Sequence, residues 1–343
     1  MLRVDKDWLH LAAAWAAFVF IPFNLFAGTL IAKAFTASEA IIGLLLGSTV
    51  LCLLTVPSVI YASITGRTYA QAIEIEIGNR LIRTLLKLLV PVVNIGWFSI
   101  QTIAATQIVL APEFNSATAF LSYVGVAVVF IAGPIIGGYA WLYRFGAVAV
   151  VAMVLGIIAI IGSGDLREIS WGTPDWKSTV SAGLLVLGTW VFSSTTCVMD
   201  VARELRRPGA AITAILCGTI AADVSLMVVG FLYPEFTSRL IGETNQHGIS
   251  AVMGSIFVTA ALWSTNDSNF YSTEKALHNL GVAPTLTAVL VVITTGAVGI
   301  FVGDRLFSVI GPWLQVMGWI GIPMGLFWLS KCHKVASTLE IKK

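Results

Sequence analysis

Of 343 residues, 57% are hydrophobic and only 11% are charged, against roughly 25% charged in an average soluble domain, so a water-soluble fold is excluded. The net charge of +2 is too small to argue for a nucleic-acid partner, and the basic residues lie in breaks between apolar spans rather than on one face. Of four cysteines, Cys52, Cys197 and Cys217 fall inside apolar spans and Cys332 sits beside His333, which suggests neither a disulfide framework nor a metal centre.

About 20 mostly apolar residues cross a bilayer core, and stretches of that kind follow one another from Trp8 to Leu329. The first, Trp8 to Phe35, is too long for a signal-peptide core and is read as a retained helix. Polar and Pro/Gly clusters then divide the chain into ten spans, roughly 8–34, 39–65, 81–111, 117–139, 141–163, 179–202, 208–234, 250–276, 283–303 and 306–330. Only GGYAWLYRFG separates the fourth from the fifth, and its Arg144 is read as marking a turn. The expected fold is an all-α integral membrane protein, one transporter domain over 1–343 with a short tail at 331–343. Placing the N-terminus inside leaves only Lys33, Arg167, Lys177, Arg239 and Arg305 of the 20 Lys and Arg outside, a bias that predicts both termini in the cytoplasm.

Two spans are poorly suited to a continuous helix. The first carries Pro22 in its interior, and the sixth carries GTWVFSSTT, whose hydroxyls compete for backbone groups. They lie about 170 residues apart, near half the chain. Two five-helix halves, about 8–163 and 179–330, would be related by inversion, as in secondary transporters whose broken helices bind substrate and ion at the midplane. The alternative is a proline kink and a polar packing stripe.

In span eight, WSTNDSNFYSTE runs from Trp263 to Glu274. So many polar groups are costly against lipid and should face a cavity, where hydroxyls and amides suit a small cation or the edge of a planar ring. The alternative is a loop, which would leave the span too short. In span three, Asn94, Trp97 and Gln101 share one helical face, where an indole could stack on a flat ring and two amides reach its edge; helix packing is the other reading. Asp223 is a further intramembrane acid, a candidate proton relay or an interhelical hydrogen-bonding group. Gly43 and Gly47 have the small-xxx-small spacing of helix packing. No nucleotide-binding loop, HExxH or GxSxG occurs, so no enzyme is expected.

At AGTL, IGLLLGSTVL, NIGWF, DVARELRR and WSTNDSNFYS the chain resembles the nucleobase:cation symporter-1 family, within it the bacterial cytosine permeases and hydantoin transporters. The resemblance implies a LeuT-like 5+5 inverted repeat with helices 1 and 6 broken. It implies a sodium site at the backbone of Ala16, Val19 and Ala261 with the hydroxyls of Ser264 and Thr265. It also implies a substrate site in which Trp97 stacks on the ring, Asn94 or Gln101 and Asn266 bond its edge, Ser193 lies in the sixth-helix break and Phe20 closes one side. An aromatic that some members place in that break falls on Val191, with Trp190 one position away. The family commonly has twelve helices; the last two lie outside the repeat core, so transport is expected to survive without them. The expectation is a symporter of the cytoplasmic membrane, coupled to sodium or protons, importing a nucleobase such as cytosine. Hydroxymethylpyrimidine, a hydantoin or a purine are alternative cargoes, and a channel or structural membrane subunit is the alternative class.

Overall fold

A computed structural model describes residues 8–110, 116–163, 166–235 and 249–340, and its regular secondary structure is all helical. Among the described residues thirteen α-helices run in chain order: α1 (Trp8–Val19), α2 (Pro22–Ala34), α3 (Ala37–Thr65), α4 (Tyr69–Glu76), α5 (Arg80–Leu110), α6 (Ala117–Ser163) and α7 (Trp176–Thr195). After them come α8 (Val198–Ala202), α9 (Pro208–Thr219), α10 (Ser225–Leu232), α11 (Ile249–His278), α12 (Pro284–Val302) and α13 (Leu306–Glu340). Among the described residues seven helical stretches are long and apolar enough to cross a membrane. Large apolar side chains such as Leu53, Leu85, Leu121, Ile136 and Phe301 point outward, which makes this a multi-pass membrane protein whose exterior suits lipid.

Both poorly suited spans are interrupted. Ile21 is extended, at φ −120° and ψ 149°, and Pro22 opens α2 at its first position. The cause is local: a residue before proline is pushed out of the helical region, while proline itself fits a first turn whose N–H groups have no partner. The second interruption falls at Thr196, φ −126° and ψ −76°. There Thr195 Oγ1 donates to Val191 O at 2.8 Å and Thr196 Oγ1 to Phe192 O at 2.7 Å, so hydroxyls take carbonyls that a continuing helix would use. A third irregularity, a π turn over Ile220–Val224, joins α9 to α10 and carries Asp223.

The turn expected at residues 139–141 does not form. Helix α6 runs unbroken through GGYAWLYRFG for 47 residues, about 70 Å at 1.5 Å per residue. Proline ends before the segment, at Pro134, and a mid-helix glycine costs only about 1 kcal/mol relative to alanine, too little to stop a helix supported on both sides. Likewise α13 continues past 330 to Glu340, so the described part of the expected tail is helical. The WSTNDSNFYSTE string lies inside the 30-residue α11, not in a loop.

Close packing fixes how the elements pair. Helix α1 lies against α9, α2 against α10, α3 against α7, and α5 against α11. Where α2 crosses α10 the backbones nearly touch: a Cβ on Gly28 would sit 2.0 Å from Met227 O, and one on Gly230 would sit 2.0 Å from Leu25 O. Gly43 and Gly47 meet α7 at Ala182, Gly183 and Val186 in the same manner, as their spacing predicts. At the start of α3, Thr36 and Glu39 form a capping box, and Glu39 Oε1 also accepts from Asp175 N at 3.1 Å. Asp175 in turn caps α7 through Ser178 N at 2.9 Å.

Candidate functional site

The second helix break opens onto a small cavity. Trp15 and Phe18 line it from α1, Trp190 and Ser193 from α7, Cys197, Asp200 and Val201 from the break and α8, and Ser268, Asn269, Tyr271 and Ser272 from α11. Trp15 and Trp190 meet edge to face with centroids 6.2 Å apart. Trp15 is held by its indole N–H, which donates to Thr219 Oγ1 at 2.9 Å. The Trp190 indole N–H is buried and has no hydrogen-bond partner among the described residues. Aromatic walls and a few convergent polar groups are features of a small-molecule site.

Of the expected substrate residues, Trp190 and Ser193 line this cavity, while Asn94, Trp97, Gln101, Asn266 and Phe20 are buried outside its lining. Trp97 packs between Phe23 and Trp313, with centroids 6.1 and 6.0 Å away. Asn94 Nδ2 contacts Cys197 Sγ at 3.6 Å, which places it behind the lining. Gln101 Oε1 is buried and has no hydrogen-bond partner among the described residues. Asn266 Nδ2 donates to Phe98 O at 3.2 Å and Thr102 Oγ1 at 2.9 Å, and its Oδ1 accepts from Asn269 Nδ2 at 3.3 Å. It therefore links α5 to a cavity residue.

The expected cation residues lie where α1 meets α11. Thr265 Oγ1 is 3.1 Å from both Phe18 O and Ala261 O, sharing its proton between the two helices. Ala16 O accepts from Phe20 N at 2.8 Å. Val19 O accepts from Ile21 N at 3.0 Å and from Asn24 Nδ2 at 2.7 Å, so both of its lone pairs are engaged. Ser264 is buried beside Thr265 in the chain. Thr265 thus ties the end of α1 to α11 beside Ala261.

Asp223 is fully buried in the π turn. Its Oδ1 accepts from Thr189 Oγ1 at 3.3 Å, and its Oδ2 has no hydrogen-bond partner among the described residues. The π turn sets this carboxyl on a wider local backbone, an irregularity common at functional positions.

Trp15, Phe18, Cys197, Asp200 and Val201 belong to the cavity without having been singled out from the sequence, whereas Ser268, Asn269, Tyr271 and Ser272 lie in the polar string expected to face one. A signal was present for α11: Ser268, Asn269 and Ser272 recur at spacings of three and four, on one face. For Asp200 and Trp15, no spacing pattern pointed there.

No family model matches the chain, and no curated protein matches it in sequence. Among solved structures it is similar to Mhp1, a nucleobase-cation-symport-1 family transporter, in a closed conformation with bromovinylhydantoin bound. The TM-score is 0.67 and the identity 19%, over 92% of this chain and 77% of that one. Mhp1 in an inward-facing conformation gives a TM-score of 0.62 at 19% identity, over 90% and 75% of the chains. A mutant manganese transporter from Eremococcus coleocola gives 0.61 at 12% identity, over 95% and 78%. The protein thus has a fold that it shares with membrane transporters of more than one cargo class.

Proposed function

We propose that the protein is a cation-coupled secondary transporter that carries a small nitrogenous heterocycle across the cytoplasmic membrane by alternating access. The observation that carries this reading is the aromatic-walled cavity at the α7–α8 break, next to the junction of α1 and α11 where Thr265 holds Phe18 O and Ala261 O. Substrate and cation would then share walls, which is the requirement for coupling: each shifts the equilibrium only as far as it prefers one state.

The pairing of helices supports a 5+5 inverted repeat. Exchanging the first and second halves turns the contact of the first span with the seventh, α1–α2 on α9–α10, into that of the sixth with the second, α7 on α3. The contact of the third with the eighth, α5 on α11, maps onto itself. The repeat needs separate fourth and fifth crossings in the first half, and the unbroken α6 departs from it there. Both termini are assigned to the cytoplasm from the basic residues; a C-terminal tag reached only from the opposite side of the membrane would overturn that assignment.

The cation is assigned to the backbone oxygens of Ala16, Val19 and Ala261 and the hydroxyls of Ser264 and Thr265, the hard oxygen donors that sodium favours. Since the Asn24 amide already occupies Val19 O, cation entry there displaces it. Trp190 and Ser193 contact substrate directly, and Trp97, Gln101, Asn94, Asn266 and Phe20 complete the pocket in the state that closes around it. Asp223, with one oxygen left without a partner, is the candidate proton carrier should coupling use protons.

A thermal-shift screen of the purified protein tests the reading, using nucleobases, hydantoins and hydroxymethylpyrimidine with and without sodium. The expected result is stabilisation by one ring class that grows with sodium; no shift with any ring overturns it.

A further inference from the structure

Between α3 and α5, at the end assigned to the cytoplasm, the chain forms the short helix α4. Thr68 and Gln71 close a capping box at its start. Tyr69, Ala72 and Ile73 are buried, while Gln71, Glu74 and Ile75 are exposed. The bonds of α4 fall into two sets. One ties it to α5, the helix that follows it in the chain: Tyr69 OH donates to Leu86 O at 3.3 Å, and Glu74 pairs with Arg83 at 2.9 Å and with Lys87. The other reaches across to α3, α8 and α13. At the start of α4, Tyr69 N donates at 3.2 Å to Oδ1 of Asp200, which lines the cavity. At its end, Glu76 accepts from Tyr61 OH at 2.8 Å and pairs with Lys331 at 3.1 Å, and the Lys331 ammonium also donates to Glu76 O at 3.2 Å. Between the two ends Trp328 of α13 is fully buried, its ring 5.1 Å from that of Tyr61 and 6.1 Å from that of Tyr69.

We infer that α4 is a cytoplasmic latch, a strap carried by α5 that closes the cytoplasmic end of the cavity by clasping Asp200 of α8 at one end and Lys331 of α13 at the other. This deepens the proposed function and rests on it for the cavity being the cargo site. Alternating access is biased only by contacts that are made in one state and absent in the other. The bonds between α4 and α5 join neighbours in the chain and travel with α4, so they survive when it lifts. The bonds to Asp200, Tyr61 and Lys331 join α4 to three other elements and break before the cavity meets the cytoplasm. The ion pair suits such a clasp. The side chains of Lys331 and Glu76 are 18% and 20% exposed, buried enough to attract each other more strongly than a surface pair and near enough to water for both to be rehydrated on separation. Asp200 belongs to the cavity lining and to the clasp at once, so the contents of the cavity and the strap meet at its carboxylate.

Cys197 lines the same cavity and reports on the latch. With Cys52, Cys217 and Cys332 replaced by alanine, the full chain in sealed vesicles is labelled with a charged, membrane-impermeant methanethiosulfonate applied to each face in turn. The parent is compared with Glu76→Gln, Lys331→Gln and Glu74→Gln. Expected is a Cys197 labelling rate at least about tenfold higher in Glu76→Gln and in Lys331→Gln, from the face that carries the C-terminal tail, the shift that loss of one charged hydrogen bond gives a two-state equilibrium. Glu74→Gln cuts only bonds that travel with α4 and should leave the rate within about twofold, as an exposed pair predicts. Reversing the charges, Glu76→Lys with Lys331→Glu, should restore slow labelling. Should one of the two glutamine variants at the clasp fail to fold, the other decides. A rate unchanged in either, or raised equally from both faces, overturns the latch. Uptake of nucleobases and hydantoins into the same vesicles tests the transporter reading separately: uptake by the parent with unchanged labelling in the variants overturns the latch alone, and uptake of no ring sinks that reading and the latch with it.

Discussion

The two broken helices differ in what they do with the backbone that the break exposes. At the first, the chain seals itself: Asn24 reaches back to Val19 O at 2.7 Å, and Val19, Phe20 and Ile21 are all buried apolar groups. At the second, hydroxyls of Thr195 and Thr196 cover the carbonyls, and the residues that follow, Cys197 and Asp200, face a cavity. Interrupting a helix therefore does not by itself create a polar site. The side chains within one turn of the interruption decide whether it is closed by the protein or left for a ligand.

The hardest way to break this arrangement is at the crossing that fixes the first break in place. Gly230→Leu drives a side chain into the α2 main chain and should abolish folded protein, seen as loss of the monodisperse peak in size-exclusion chromatography, because overpacking against backbone has no rotamer to relieve it. Next in size, Thr265→Ala removes the hydroxyl shared by α1 and α11 and should raise the sodium concentration for half-maximal stabilisation on the order of tenfold, one ligand hydrogen bond's worth. An unchanged sodium curve would remove Thr265 from the cation site.

Asn24→Ala sharpens the contrast directly. It unseals the first break, so the apparent sodium affinity should rise a few fold as Val19 O is released, while thermal stability falls by about 1 kcal/mol from the lost buried hydrogen bond. Equal sodium affinity in variant and parent would show that Val19 O does not meet the ion.

The smallest effect lies at the far end of α7. The Ser178 backbone N–H, donating to Asp175, holds that exposed carboxyl below its ordinary value of 3.8. Because its pKa is depressed in the folded state, its contribution is fully present above 3.8 and is lost as pH falls below it. Asp175→Ala should lower the melting temperature slightly near neutrality, and the difference from the parent should shrink progressively in melts as the pH falls below that value.

Much of the fold was legible because it rests on local chemistry. Pro22 forces Ile21 out of the helix, and the Gly43–Gly47 spacing marks the α3–α7 contact, both readable over a few residues. The turn expected at GGYAWLYRFG failed because glycines and an arginine weaken a helix without stopping it. The cavity was half legible. Ser193 and Trp190 stand within the polar sixth span, whereas Trp15 and Asp200 enter only through long-range contacts, to Thr219 and to Tyr69, that no spacing encodes. The amide orientation of Asn269 is further still from the sequence, since it follows from Phe98 by way of Asn266.

The crossing of Gly28 with Gly230 has a consequence for how this protein can vary. Each glycine faces the other helix's carbonyl rather than a side chain, so an enlargement on one strand of the crossing cannot be rescued by trimming its opposite number. Second-site suppressors of a Gly28 or Gly230 replacement should therefore map elsewhere, to positions that let α2 and α10 move apart as whole helices.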